Sequence, residues 1–191
     1  MNMRAKVLWA ALTLSVAGIS VSTLSARASV VEALDLETLV READSVVLAR
    51  VIKSESHYDD RGRIVTDYQM QVEHVEKGNV ALGAAVTVRK LGGIVGDKGM
   101  TISGEPSYTD GELVLLFGKG GKSYLRPVGM GQGAMRVSER DGARYVRSDA
   151  RGMSLVKRGA TDKSVPPAVA TERKLEELLA EVHSLVAAQK K

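Results

Sequence analysis

The sequence predicts a mainly β protein of the α+β class, a small barrel or sandwich of five to seven strands with a helix near each end. Seven short segments rich in apolar and β-branched residues alternate with turn-forming residues, a spacing typical of small β domains. Residues 171–189 instead repeat apolar residues at helical spacing. The 191 residues include no cysteine, so packing rather than disulfides has to stabilise this fold.

Residues 1–28 have the pattern of a removable export signal. Arg4 and Lys6 precede an apolar run over residues 7–21, and Ala26-Arg27-Ala28 matches a small-x-small cleavage site. The apolar run is shorter than the 18 or so residues that a membrane-spanning helix needs. We therefore expect a periplasmic or secreted mature chain without a transmembrane segment.

The composition of the mature chain argues against several classes of binding protein. Removing the signal leaves 24 basic and 23 acidic residues and no tryptophan, with Phe117 as the one phenylalanine. Nucleic-acid binding usually needs a clustered basic excess and aromatic stacking surfaces. The sequence therefore predicts no nucleic-acid partner.

The first half of the mature chain predicts a helix and a three-stranded meander. Residues 35–42 form a short helix with Asp35 as its N-cap. Residues 45–55 and 64–75 form a long hairpin, because apolar and polar residues alternate in the second segment. Residues 85–91 are the third strand.

The later strands and the C-terminal helix divide the mature chain into two parts. Residues 29–160 are assigned to a β-barrel domain and residues 161–191 to a linker and a C-terminal helix. The later predicted strands are residues 113–117, 123–128, 134–137 and 143–146. Residues 113–117 are apolar throughout, which indicates a strand buried on both faces.

The C-terminal helix carries an apolar stripe with three interpretations: docking on the barrel, pairing with another copy, or lying on a membrane surface. Its polar face mixes both charge signs, which favours docking over membrane binding. The stripe consists of Leu175, Leu178, Leu179, Val182, Leu185 and Val186.

Residues 92–111 form the least regular segment, in which only residues 100–102 have strand character. Loops beyond about twelve residues are usually functional or disordered, and apolar residues such as Ile94 argue against disorder. The segment is therefore interpreted as a binding loop or as a crossover that covers the barrel end, with a catalytic loop as a weaker alternative. The residues predicted to bind a ligand or partner are Gly92, Gly93, Gly96, Lys98, Gly99 and Glu105, with Lys119, Lys122 and Arg126 in neighbouring basic turns.

Formal charge is divided along the chain. Residues 29–88 carry a net −5, residues 89–160 carry +6, and residues 161–191 are neutral. If the first two segments occupy different sides of the fold, the surface is dipolar and can steer a charged partner. If their strands interleave, this asymmetry disappears.

Catalytic and metal-binding patterns are weak. The three histidines lack the paired spacing of a metal site. The Asp59-Asp60 turn is interpreted as a solvated hairpin tip, with a binding site for a divalent cation as the alternative. Ser154 and Lys157 match the serine-x-x-lysine spacing, which on a helix lets the lysine activate the serine as a nucleophile. No catalytic residue, metal or cofactor is therefore assigned.

Four segments in order resemble a group of uncharacterised exported bacterial proteins: residues 43–51, the Tyr68-x-Met-x-Val-x-x-Val-x-Lys-Gly78 run, residues 86–88 and residues 111–117. More distantly, the layout over residues 36–126 is similar to netrin-type modules and tissue inhibitors of metalloproteinases. This resemblance implies an OB-like barrel whose loops bind another macromolecule. Those inhibitors bind zinc through an N-terminal cysteine, which this chain lacks, so their mechanism is not implied.

Together these observations predict an exported, non-enzymatic binding module that recognises a protein or envelope component through the 92–111 loop. One alternative is a structural or assembly protein that self-associates through the C-terminal helix. The weaker alternative is a serine hydrolase that uses Ser154 and Lys157.

Overall fold

The computed structural model describes residues 29–120, 123–159 and 163–189, so the proposed signal of residues 1–28 lies outside the described part. The described chain is mainly β and has two α-helices. Its elements in order are β1 (Ser29–Glu32), α1 (Leu36–Glu42), β2 (Ser45–Tyr58), β3 (Ile64–Lys77), β4 (Ala85–Leu91), β5 (Gly93–Val95), β6 (Lys98–Met100), β7 (Leu113–Gly120), β8 (Leu125–Pro127), a 3-10 turn (Met130–Gly133), β9 (Ala134–Arg140), β10 (Ala143–Ser148), β11 (Met153–Val156), β12 (Arg173–Lys174) and α2 (Leu175–Ala188).

Five strands close into a ring. Going round it, β7 pairs with β2, β2 with β3, β3 with β4, β4 with β8, and β8 returns to β7. All these pairings are antiparallel except that of β4 with β8, which is parallel and consists of Val88 beside Leu125. The ring confirms the predicted OB-like barrel, and β9, β10 and β12 extend the same sheet outward from β7.

Strands β2 and β7 each separate two hydrophobic clusters. Val47 and Leu116 point into the barrel interior, whereas Val46 and Phe117 face the layer formed by the helices. All four side chains are completely buried. This arrangement explains why both strands are continuously apolar, and it confirms the two-sided burial predicted for residues 113–117.

Both helices pack on the outside of the barrel. The Thr38 amide donates a 2.8 Å hydrogen bond to Asp35 Oδ1, which is the predicted N-cap of α1. In α2, the stripe residues Leu175, Leu178 and Val182 are fully buried in the cluster that α1 also joins. The stripe therefore docks on the chain's own core, and neither described helix has the length and apolar character to cross a membrane.

Two features of the fold were not predicted from the sequence. Residues 92–111 begin with a regular hairpin, β5–β6, instead of a continuous loop. In addition, β1 pairs in parallel with β11, more than a hundred residues later in the chain. The buried side chain of Gln132 holds the end of β1 in place, since it accepts a hydrogen bond from the Leu34 amide at 2.9 Å and donates one to the Glu32 carbonyl at 3.0 Å.

Candidate anion-binding groove

A groove of about 670 Å³ lies at one end of the barrel. The turn between β2 and β3 forms one wall, and β4, β7 and β8 form the rest. Five cations line it against two carboxylates, so the lining residues carry a net formal charge of +3. The cations are Arg61, Arg63, Arg89, Lys119 and Arg126, and the carboxylates are Asp59 and Asp60.

The Asp59 carboxylate stabilises the β2–β3 turn through hydrogen bonds. It accepts the backbone amides of Arg61 and Arg63 at 3.0 and 2.9 Å, and it binds the Arg63 guanidinium at 2.9 and 2.7 Å. These bonds, chiefly those of the Arg63 side chain, lower the pKa of Asp59 to about 2. The Asp59 carboxylate, which the sequence left open as a ligand for a divalent cation, is therefore bound to Arg63. The described residues contain no cluster of three or more side chains that could bind a metal ion.

Arg89 is held rigidly on β4. Its Nε and Nη2 donate to the two carboxylate oxygens of Asp67, each at 2.6 Å, and its guanidinium lies over the Tyr124 ring. His57 Nε2 is hydrogen-bonded to Asp67 Oδ2 at 3.0 Å. Arg89 is the main cause of the lowered pKa of Asp67, and Asp67 in turn raises the pKa of His57.

Lys119 and Arg126 are register partners on β7 and β8. Lys119 Nζ lies 3.1 Å from Glu42 Oε2, and both side chains are well exposed. The Arg126 guanidinium carbon lies 5.6 Å from the centroid of the Tyr124 ring. Two residues predicted from the sequence thus lie in the groove, while Lys122, the third candidate in the basic turns, lies outside the described residues.

The backbone conformation and close packing at positions 92 and 93 explain why both residues are glycines. Their φ values are +90° and +146°, and a Cβ on Gly93 would collide with the side chains of Ser56 and Thr66. Thr66 Oγ1 also donates a 2.6 Å hydrogen bond to the Gly92 carbonyl. Glycine is required here because the backbone approaches two side chains closely.

The other predicted loop residues also lie outside the groove lining. Gly96 forms the turn of the β5–β6 hairpin with a φ of +61°, and Lys98 and Gly99 belong to exposed β6. Glu105 lines a separate cavity of about 230 Å³ with Asp149 and Arg151. Burial raises the pKa of the Glu105 carboxyl group.

Sequence reasoning missed Arg61, Arg63, Arg89 and Tyr124. Arg61 and Arg63 flank the glycine of a predicted hairpin turn, which was a usable signal for an exposed basic tip. Arg89 and Tyr124 meet only because β4 and β8 are neighbours in the ring. In the ring, β2, β3 and β4, which belong mainly to the negative segment, are consecutive, and β7 and β8 of the positive segment complete it.

The structure does not favour the serine hydrolase pattern. Ser154 lies in β11 and Lys157 follows the end of that strand. Residues three apart on a strand point to opposite faces, whereas the serine-lysine mechanism relies on helical spacing.

Comparisons of the chain with protein-family models, curated proteins and solved structures found no match.

Proposed function

We propose that this protein is an exported, non-enzymatic binding module whose groove holds an anionic group of a protein or envelope component. One observation carries the proposal: five cations from four separate chain segments converge in one concave site. In five-stranded OB barrels, ligands bind beside the second and third strands, between the loops that join strands one to two and four to five. In this ring, strands one to five are β2, β3, β4, β7 and β8. The groove lies between the β2–β3 turn and the residues where β7 ends and β8 begins, which correspond to those two loops. The signal pattern in residues 1–28 supports export.

The residue types in the groove suit binding better than catalysis. Its described lining includes no histidine, and arginine stays protonated near neutral pH, so it cannot act as a general base. Arginine instead offers a planar fork of donors that matches carboxylates and phosphates. A positive concave surface also speeds the encounter with a negative partner.

The β5–β6 hairpin is a second proposed contact for the same partner. The Gly92 amide donates a 2.9 Å hydrogen bond to the Ile64 carbonyl, so the hairpin starts beside the β2–β3 turn of the groove. Ile94 on this hairpin is 73% exposed, and Lys98 on the second strand of the hairpin is also exposed. Protein contact surfaces commonly have apolar side chains at the centre and a polar rim.

The test is affinity capture with the mature chain, residues 29–191, from envelope and secreted fractions of the source organism. The groove variant carries Arg61→Glu and Arg126→Glu. The matched control is Arg147→Glu, which reverses an exposed charge on β10 outside the groove lining. We expect a partner that the unmodified chain and the control retain and the groove variant loses. Equal retention by all three proteins, or no partner for any of them, would contradict the proposal.

A further inference from the structure

We infer that the partner's anionic group belongs to an extended acidic segment of a protein, which crosses the Lys119–Arg126 pair into a second cationic groove. This inference rests on the proposed function and names the class of partner. The second groove has a volume of about 520 Å³ and lies between α1, β8 and the residues that follow β11. Arg41 and Arg158 line it.

Lys119 and Arg126 connect the two grooves, because both side chains line both of them. They are cross-strand neighbours on β7 and β8, so they form a ridge between the two depressions. An extended chain that binds on one side of this ridge can continue on the other side without turning back. The two grooves therefore form one continuous positive surface.

Cations of the second groove have carboxylate neighbours that a ligand can replace. Arg158 lies 2.6 Å from Glu32, but its side chain is 82% exposed. Glu42 is shared, at 3.6 Å from Arg41 and 3.1 Å from Lys119. Exposed ion pairs of this kind contribute about 1 kcal/mol or less, so carboxylates of a partner can exchange with them.

Three observations favour an acidic protein segment over other polyanions. The guanidinium of Arg89 lies over one face of the Tyr124 ring and occupies that face against the stacking of a base or a sugar. The surface is concave, whereas a bilayer offers a flat plane. Leu34 and Pro127 line the second groove, where they can contact apolar side chains placed between acidic ones.

The test measures binding of two labelled peptides to the mature chain, residues 29–191, by fluorescence anisotropy. One peptide has fourteen residues with alternating glutamate and alanine, and it spans about 48 Å when extended. The other has five residues of the same pattern and spans about 17 Å. The short peptide fits one groove, and the long peptide can reach both.

We expect Arg41→Gln with Arg158→Gln to weaken binding of the long peptide at least tenfold and leave the short peptide unchanged. Arg61→Glu should weaken binding of both peptides. The matched variant Arg41→Lys with Arg158→Lys keeps both charges and should bind the long peptide like the parent. Circular dichroism and thermal unfolding of each variant verify that the fold is retained.

The possible failures are distinguishable. If Arg61→Glu weakens binding of both peptides while the Arg41 and Arg158 variant binds the long peptide normally, the two-groove inference is wrong and the proposed function stands. If no variant alters binding of either peptide, both are wrong. If oligothymidylate displaces the long peptide at lower concentration than the unlabelled peptide does, the surface suits nucleic acid and the inference is overturned.

Discussion

The guanidinium carbon of Arg89 lies 4.2 Å from the centroid of the Tyr124 ring. This contact joins β4 to the start of β8. The two strands pair through their backbones at one position, Val88 beside Leu125. A cation over an aromatic ring contributes about 0.5–1 kcal/mol at a partly exposed site. The same contact covers one face of the ring against a stacked ligand, so the Arg89 side chain both supports barrel closure and reduces the aromatic surface open in the groove.

Replacing Arg89 with methionine should destabilise the fold and raise the pKa of Asp67. The change removes two charge-assisted hydrogen bonds from a pair whose side chains are both less than a quarter exposed. We expect a loss of about 1.5–3 kcal/mol in the free energy of unfolding. Urea denaturation measures the stability, and carboxyl NMR titration follows Asp67. Lys53→Met at an exposed site of β2 is the control and should change the free energy of unfolding by less than about 0.5 kcal/mol.

The pKa of His57 should fall when Asp67 is replaced by asparagine, because the Asp67 carboxylate is the main cause of its raised value. A raised pKa means that the folded state favours the protonated imidazole. Its stabilising contribution is therefore fully present below the usual value of 6.5, and it disappears as the pH rises through the folded pKa. Imidazole NMR titration of both proteins measures the change. An unchanged pKa in Asp67→Asn would disprove the assigned cause.

Leu178→Ala should reduce the free energy of unfolding by about 2–5 kcal/mol, because the leucine is fully buried between α2 and the sheet. Glu177→Ala changes the exposed neighbour and serves as the control, with an expected effect within about 0.5 kcal/mol. Urea denaturation and light scattering of the same samples provide the readouts. If Leu178→Ala alters the oligomeric mass and leaves stability intact, the stripe serves self-association instead of docking.

Gly93→Ala should destabilise the fold more than Gly96→Ala does. Gly93 has a φ of +146° and a Cβ there has no space, whereas Gly96 has a φ of +61° and open surroundings. Strain at a sparsely populated backbone conformation costs about 1–3 kcal/mol, and the displacement of Ser56 and Thr66 adds to it at Gly93. Thermal unfolding of the two variants gives the comparison. Similar stabilities would show that the close approach at Gly93 is easily relaxed.

Much of the fold is visible in the sequence because its signals are local. The long β2–β3 hairpin follows from alternation around Met70, and α1 follows from Asp35 followed by apolar residues at helical spacing. The pairing of β1 with β11 leaves no comparable trace, since its partners are separated by most of the chain. Short strands of this kind depend on tertiary contacts such as the hydrogen bonds of Gln132.

The groove was only partly predictable for the same reason. Lys119 and Arg126 were recognised as basic turn residues, and the structure brings them together through the register of β7 and β8. Arg89 looked like an ordinary strand residue, because its neighbours Asp67 and Tyr124 are distant in the sequence. Side-chain alternation shows which face of a strand is buried, but it does not show which strand lies beside it.

The sequence by itself determined the β-rich class, the position of most strands, both helices and the two-sided burial of β7, since each depends on residues close together in the chain. Tertiary structure alone decided how the ring closes at Val88 and Leu125 and which cations share a surface. It also decided that α2 covers the chain's own core. Those outcomes depend on packing between distant segments, where the free energy comes from burying complementary surfaces rather than from local conformational preference.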